Sequence, residues 1–497
     1  MEPTTKRLDP KRAASALTPT THPKAAAIVR VKLEALFGLY TYEIPSATAG
    51  LSRTPILYGE NGLGKTNILR ILFHLLSSAG NRGHRTNLGK IKFRRVDIFL
   101  SNATIVSALR TGEKLDGAMR LQVERQVDAS RELLGAWDWY PQDDPAREAS
   151  QKLLAHLDPA TIRMFAETTS LKERTRAIQS MLVQRIEKES NPLESEEAFL
   201  RALRENIPPI YFLTADRTLS SDQVASDVIT ARDTETRVMR PEAMVSMGRE
   251  RALSEAIAMA SRHLSQLGVR ATRQGSRSMH SIYQDLIKRL ASRASSKGGR
   301  TSESISSLTK RLLELSGRYD MYAKYGLAPQ LHGEALVELL AAVRPSERSV
   351  ASEVLRPYVE SLTRQANSFA LAHAVIDTLV STVNEFLYDK SLEFSLGEGM
   401  LVRNRLGDVL EPRDLSSGEQ QLLLLFCHIT IAHDSGGIFI IDEPEISLNI
   451  KWQRRLVDAL LHLDPSENLQ FVLASHSMEI LTRHRDSVVT LQEAVNE

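Results

Sequence analysis

The chain has 497 residues, of which 42% are hydrophobic and 25% charged, a composition typical of a globular protein and not of a disordered or fibrous one. Its formal net charge of +2 is too small to indicate a polyanionic partner, so any nucleic-acid site must come from local clustering of charge. The single cysteine, Cys427, excludes an intramolecular disulfide and fits a reducing cytoplasm, and no apolar run approaches the roughly 20 residues that cross a bilayer.

The N-terminal part predicts a tail followed by the start of an α/β unit. Residues 1–26 combine basic side chains with Thr, Pro and Ala and lack the apolar run of a secretory signal, which indicates a flexible basic tail. Short strands are predicted at 28–36 and 40–44. A third apolar run, 55–58, leads into a glycine-rich loop, after which apolar residues recur at helical spacing from Ile68. The sequence therefore predicts a strand, a loop and a helix in succession.

The glycine-rich loop, Gly59–Thr66, has the pattern of a phosphate-binding P-loop and stands between a strand and a helix, as that mechanism requires. Its glycines let backbone N–H groups converge on phosphate oxygens, and the helix N-terminus adds a favourable dipole. Lys65 is predicted to contact the β- and γ-phosphates of ATP, and Thr66 to ligate Mg²⁺. The predicted nucleotide-binding residues of this segment are Gly59, Asn61, Gly62, Gly64, Lys65, Thr66 and Asn67.

Two charged segments in the middle of the chain are predicted to be helical insertions. The first spans 101–205 and the second, an arm, spans 221–387. Between them, the apolar run 210–213 predicts a buried strand within a core segment, 206–220. The helical pattern of the arm breaks at 292–307, where serine, glycine and basic residues indicate a loose tip.

The arm also carries the strongest local charge. Ten basic residues and two acidic ones lie between Arg270 and Arg311. Such a cluster would contact nucleic-acid phosphates and bind less tightly as salt increases. A docking surface for an acidic protein partner and a solvated arm are the other two interpretations, and the sequence leaves all three open.

A second set of chemical groups follows near the C-terminus. The apolar run Ile438–Ile441 ends in Asp442 and Glu443, which predicts a buried parallel strand with two carboxylates at its carboxyl end, where ligands of α/β sheets bind. Asp442 is predicted to hold Mg²⁺ together with Thr66. Glu443 is predicted to be the general base that deprotonates the attacking water.

The segment before this strand, Leu415–Gln420, reads LSSGEQ and resembles the LSGGQ signature of ABC ATPases. The segment after it, Pro444–Asn449, is similar to the D-loop of that family, and His476 follows a further apolar run in the position of the switch histidine. The resemblance implies that His476 senses the γ-phosphate. It also implies that Ser416 and Gly418 contact the γ-phosphate held by an opposite subunit, so that two copies pair head to tail.

The string DEPEISLN is similar to the soluble AAA/ABC ATPases related to OLD, RecF and SMC proteins, and the resemblance covers roughly 27–100, 208–217 and 390–491. It implies the α/β class, with an ABC-type P-loop ATPase core whose mixed sheet is flanked by helices and interrupted by two α-helical insertions. The two main parts of this core are 27–100 and 388–497.

OLD-type proteins continue into a TOPRIM nuclease domain, whereas this sequence stops shortly after His476. It therefore resembles the ATPase subunits of bacterial anti-phage systems such as PARIS (the AriA type) and Septu. That resemblance implies a cytoplasmic, homo-oligomeric, Mg²⁺-dependent ATPase that holds and releases a separately encoded effector nuclease. The alternative is a DNA-repair or chromosome-handling ATPase of the RecF or SMC kind that binds DNA through the basic arm at 270–311.

Overall fold

The fold is of the α/β class, with three sheets and helices around them, so the predicted class is confirmed. Most of the predicted N-terminal tail lies outside the described residues. The computed structural model describes residues 25–46, 50–80, 82–128, 130–141, 193–215, 219–221, 249–274, 305–342, 344 and 348–492.

The first sheet has six antiparallel strands in the order β2-β1-β4-β5-β6-β7. Its β1–β2 turn at Phe37 and Gly38 lies against the glycine-rich loop, because a Cβ atom at Gly64 would come within 3.0 Å of the Phe37 ring. The strands are β1 (Ile28–Leu36), β2 (Tyr40–Ile44), β4 (Arg95–Leu100), β5 (Thr104–Arg110), β6 (Met119–Val127) and β7 (Ser130–Trp139).

Strands β5, β6 and β7 correct the prediction that 101–205 is a helical insertion, because these three strands occupy most of residues 104–139. Along β6 the buried residues alternate with more exposed ones, at Met119, Leu121 and Val123. This period of two is typical of a strand with one covered face, but the polar and charged residues on the other face, Arg120 to Gln126, make the segment look like a charged helix. Glu196–Asn206 is helical, and residues 142–192 lie outside the described part of the chain.

The second sheet has the order β15-β3-β14-β13-β8-β9 and is parallel apart from β9. Ala474 pairs with both Leu57 and Asp442, so the carboxyl ends of β3, β14 and β13 lie side by side at one edge. Ligands of parallel sheets bind at this edge. The strands are β3 (Ile56–Tyr58), β8 (Ile210–Leu213), β9 (Leu219–Ser221), β13 (Gly437–Asp442), β14 (Leu469–Ala474) and β15 (Val488–Thr490).

Ten helices pack around the sheets in the described part of the chain. The first of them lies between the two large sheets, because its Ile68 and Leu72 share one apolar cluster with Val96 and Ile440. The helices are α1 (Lys65–Leu76), α2 (His84–Lys90), α3 (Glu196–Asn206), α4 (249–274), α5 (Ile305–Lys324), α6 (Gly333–Ala341), α7 (Arg348–Asn384), α8 (Ser417–Ala432), α9 (Ile450–Leu463) and α10 (Met478–Arg483).

The predicted arm is helical where it is described, in α4 to α7. Its long last helix, α7, leads into a small antiparallel sheet of β10 (Lys390–Ser395), β11 (Gly399–Asn404) and β12 (Val409–Leu410). This sheet connects the arm to α8. None of the described helices is long and apolar enough to cross a membrane. Of the ten basic residues in the arm cluster, the structure describes Arg270, Arg273, Lys310 and Arg311.

Candidate nucleotide site

The glycine-rich loop joins β3 to α1 and depends on glycine at two positions. Gly62 and Gly64 have φ angles of 95° and 84°, in the left-handed region that favours glycine. A Cβ atom at Gly64 would also lie 2.6 Å from the Leu36 side chain. At Gly62 a Cβ atom would meet nothing within 4 Å, so the outer side of the loop is open. Asn61 is exposed on the same loop.

Lys65 is the first residue of α1 and is only 6% exposed. Its ammonium group donates to the carbonyl oxygens of Gly59, at 2.7 Å, and Glu60, at 2.9 Å, so it lies inside the curve of its own loop. Burial lowers the pKa of Lys65, while the nearby carboxylates of Glu443 and Asp442 act in the opposite direction. The positive charge is therefore held where the loop and the acidic strand end meet.

The P-loop and the acidic strand meet directly. Thr66 Oγ1 donates to Asp442 Oδ1 at 3.2 Å, across 376 residues of sequence. Asp442 ends β13 and is 3% exposed; its burial raises its pKa, and the hydrogen bond from Thr66 partly offsets that effect. A hydroxyl oxygen and a carboxylate oxygen in contact are ligands of the type that Mg²⁺ prefers. Asn67 follows Thr66 on α1 and is half-buried.

Glu443 stands at the turn immediately after β13. Its φ angle of 48° is in the left-handed region, which residues with a Cβ atom rarely adopt. Its backbone N–H donates to the carbonyl oxygen of Ala474 at 2.9 Å, and its own carbonyl oxygen accepts from Ile446 N–H at 3.1 Å. The chain thus leaves the sheet abruptly at the half-buried Glu443, beside the end of β14.

Glu445 organises the segment that follows β14. Its Oε1 atom accepts three hydrogen bonds, from His476 N–H at 2.6 Å, Ser475 Oγ at 2.9 Å and Ser477 N–H at 3.0 Å. Ser477 Oγ in turn donates to Gln453 Oε1 at 2.7 Å. The backbone of the predicted switch histidine is therefore fixed by a carboxylate only two residues from the predicted general base.

The LSSGEQ segment forms the N-terminus of α8. Ser416 is the N-cap, and it exchanges hydrogen bonds with Glu419 in a capping box. Gly418 is required by close packing, because a Cβ atom there would lie 2.8 Å from the carbonyl oxygen of Ser447. In the described residues, no hydrogen bond or ion pair connects 415–420 with 59–67 of the same chain.

Two residues of this region were not predicted to be functional. In the sequence Glu445 is only one residue of the segment that resembles a D-loop, and its spacing from His476 gives no sign of their contact. Lys390, whose ammonium group lies 2.8 Å from Glu419 Oε2, is a single lysine at the start of a strand and carries no motif. Both contacts are long-range, so only the fold reveals them.

One part of this region is similar to a described protein family. Residues 324–482 match the family model described as "AAA domain, putative AbiEii toxin, Type IV TA system". The matched range includes Ser416, Asp442, Glu443 and His476, whereas the P-loop lies far outside it. No curated protein sequence matches the chain.

Two solved structures of SMC heads are similar to the chain over most of its length. One is the SMC head domain of Pyrococcus furiosus with an extended coiled coil, bound to the C-terminal domain of ScpA; its TM-score is 0.37 at 12% identity, with 94% of this chain and 96% of that chain covered. The other is an SMC head bound to the C-terminal winged-helix domain of ScpA, with a TM-score of 0.32 at 10% identity and 94% and 98% covered. The fold brings the glycine-rich loop, which lies outside the matched range 324–482, into contact with Asp442 inside that range.

Proposed function

We propose that the protein binds ATP with Mg²⁺ and hydrolyses it, in an ABC-type site that two copies complete. The contact between Thr66 and Asp442 carries this proposal, because it joins a P-loop to the acidic end of a buried parallel strand across most of the sequence. Lys65 precedes Thr66 and Glu443 follows Asp442, and both carboxylates act on the Lys65 charge. A glycine-rich turn that only connects a strand to a helix does not require two carboxylates beside its lysine and threonine.

Each residue has a role that follows from its position. The backbone N–H groups at the start of α1 and the Lys65 ammonium group bind the phosphates, and Lys65 exchanges its two loop carbonyls for phosphate oxygens. Thr66 and Asp442 would hold the Mg²⁺ ion, which when bound supplies charge neutralisation at the phosphates. Glu443 orients the attacking water and removes its proton.

His476 and the signature segment complete the site from two directions. His476, fixed through Glu445, contacts the γ-phosphate from the neighbouring strand of the same chain. Ser416 and Gly418 match the signature residues of ABC ATPases, and on this resemblance we assign them to the nucleotide of a second copy. The N-terminus of α8 provides a favourable dipole for that phosphate.

Two substitutions in the P-loop and the strand end test the site. Lys65→Ala is expected to abolish ATP binding in equilibrium dialysis, because the phosphates lose their buried counter-charge. Glu443→Gln is expected to leave binding unchanged and to slow hydrolysis by about 100-fold or more, since only the base is removed. Arg403→Met, which removes an ion pair with the exposed Glu393 on the small sheet, is a matched control. Wild-type hydrolysis by Glu443→Gln would refute the assignment of the base.

Mixing two inactive variants tests the composite arrangement. Lys65→Ala lacks a working P-loop and Ser416→Arg lacks a working signature, so each homodimer has no complete site. A mixed dimer retains one complete site, and turnover should therefore return to a fraction of the wild-type rate. Verified mixed dimers without any turnover would show that the signature does not act between copies.

We further propose that the protein binds a separately encoded toxic effector in anti-phage defence, and that ATP turnover controls the release of this effector. The matched family description, which names a toxin of a toxin–antitoxin system, and the resemblance to anti-phage ATPases support this role. Co-expression with neighbouring genes and affinity purification test it. An effector should copurify to different extents with the wild type and with Glu443→Gln. If ATP turnover controls effector binding, the ATP-bound and ATP-free forms must bind the effector with different affinity, and Glu443→Gln accumulates the ATP-bound form.

DNA handling is the second candidate, and the basic arm favours it. Arg270, Arg273 and Lys310 are exposed on α4 and α5. If the arm binds DNA, replacing these three residues with glutamine should weaken binding in fluorescence anisotropy and reduce its dependence on salt. Binding that is tight, lost in this variant and accompanied by no copurifying protein would replace the defence proposal with the DNA proposal.

A further inference from the structure

The N-terminus of α8 contains a buried carboxylate, Glu419, which accepts a hydrogen bond from the backbone of the signature segment. Glu419 is 7% exposed, and its Oε2 atom accepts the backbone N–H of Ser416 at 2.7 Å. The return bond of the capping box, from Glu419 N–H to Ser416 Oγ, is longer, at 3.4 Å. The backbone N–H of Ser416 is therefore held by the Glu419 side chain.

That charge is balanced from another part of the fold. Lys390 Nζ lies 2.8 Å from Glu419 Oε2, with 22% of the lysine side chain exposed, and it also donates to the carbonyl oxygen of Asp414 at 3.4 Å. Burial alone raises the pKa of Glu419, but the hydrogen bonds from Lys390 and Ser416 together outweigh it and lower the pKa. Lys390 thus keeps Glu419 ionised and binds both sides of Ser416, through Asp414 and Glu419.

Lys390 is also attached to the arm. It is the first residue of β10, which follows the long helix α7 after a short turn. The last residue of that helix, Asn384, exchanges two hydrogen bonds with the backbone of Leu392, at 2.6 and 3.0 Å. Phe386, in the turn, packs edge-on against Phe426 of α8, with ring centroids 5.5 Å apart. The end of the arm, β10 and the signature helix are therefore one connected unit.

We propose that Lys390 is a positioning residue that fixes Ser416 for contact with the nucleotide of a second copy and connects this contact to the arm. The proposal rests on the proposed function, in which Ser416 acts on ATP. Lys390 itself does not touch the nucleotide. It acts through Glu419, and a movement at the end of α7 is transmitted to Ser416 through this ion pair.

The first test uses Lys390→Met, Lys390→Arg and the control Arg403→Met. Arg403 is on the adjacent strand and is 26% exposed, close to the 22% of Lys390, but its acidic partners Glu393 and Glu398 are exposed whereas Glu419 is buried. Lys390→Met is expected to lower kcat at least about tenfold while the Kd for ATP changes less than about twofold, because the P-loop is untouched. Lys390→Arg should recover most of the loss, and the control should behave as the wild type. Equal turnover in Lys390→Met and Arg403→Met would overturn the proposal.

A double variant shows whether Lys390 acts through Glu419. In Lys390→Met/Glu419→Gln no charge is left unpaired, and the Gln amide oxygen can still accept the Ser416 N–H. The kcat of the double variant should therefore exceed that of Lys390→Met by about threefold or more. Because the double variant has no unpaired buried charge, we expect it to fold even if Lys390→Met does not. No recovery would overturn the proposal. ATP hydrolysis that survives Lys65→Ala would instead refute the proposed function itself, whatever the result at Lys390.

Discussion

Replacing Glu445 with alanine should affect both stability and turnover, because one carboxylate oxygen accepts three hydrogen bonds. Hydrogen bonds to charged groups contribute about 1.5–3 kcal/mol each, but they are not additive and water can reach the half-buried His476 and Ser477. Ser475 is 0% exposed and has no such replacement. We therefore expect Glu445→Ala to lower the free energy of unfolding by about 2–4 kcal/mol, and Glu445→Gln by about half as much.

Urea unfolding and steady-state ATP hydrolysis measure the two effects. Because the backbone of His476 loses its anchor, kcat should fall at least about tenfold, while ATP still binds to the P-loop. Glu398→Ala is the control, since that carboxylate is 68% exposed and forms an ion pair with Arg403 at the surface. A free energy of unfolding within about 0.5 kcal/mol of the wild type, with normal kcat, would show that Glu445 does not hold the histidine segment.

Two further predictions concern stability. Arg53 Nη2 lies 2.5 Å from Asp464, whose side chain is 0% exposed. Arg53→Met should therefore lower the free energy of unfolding by about 3–5 kcal/mol in urea titrations. The control, Lys324→Met, removes an exposed ion pair with Asp377 and should lower the free energy of unfolding by less than about 1 kcal/mol. Burial lowers the pKa of His428 from 6.5 to about 4, so the unfolded chain takes up this proton first as the pH falls. Stability from this group is complete above pH 6.5 and is lost towards pH 4 at up to about 1.4 kcal/mol per pH unit. His428→Leu should reduce that loss, and an unchanged acid profile would contradict the assignment.

The parts of the site that could be predicted from sequence are those whose chemistry is local. The P-loop, with Lys65 and Thr66, needs only consecutive residues, and Asp442 follows directly from the buried run before it. That Thr66 and Asp442 meet could be expected because parallel strands present their carboxyl ends at one edge. The roles of Glu443, His476 and Ser416 in hydrolysis stay predictions until the variants are measured.

The parts that could not be predicted depend on tertiary contacts or on a misleading pattern. Strand β6 carries charged residues on its outer face, and the alternation of its buried residues is visible only when the two faces are separated. Lys390 and Glu445 are ordinary charged residues until the fold brings them to Glu419 and His476. A single sequence does not show which residues Lys390 and Glu445 contact, because many other charged and polar residues of the chain could form the same contacts.

The position of β3 in the second sheet has a consequence for biosynthesis. Both neighbours of this strand, β14 and β15, come from the last part of the sequence, whereas the strands of the first sheet are all supplied before residue 140. During translation the antiparallel sheet can therefore form early, while the strand that carries the P-loop waits for partners made more than 400 residues later. A nascent chain that lacks β14 and β15 thus has no complete sheet edge beside this loop, and the proposed response to ATP requires both of these late strands.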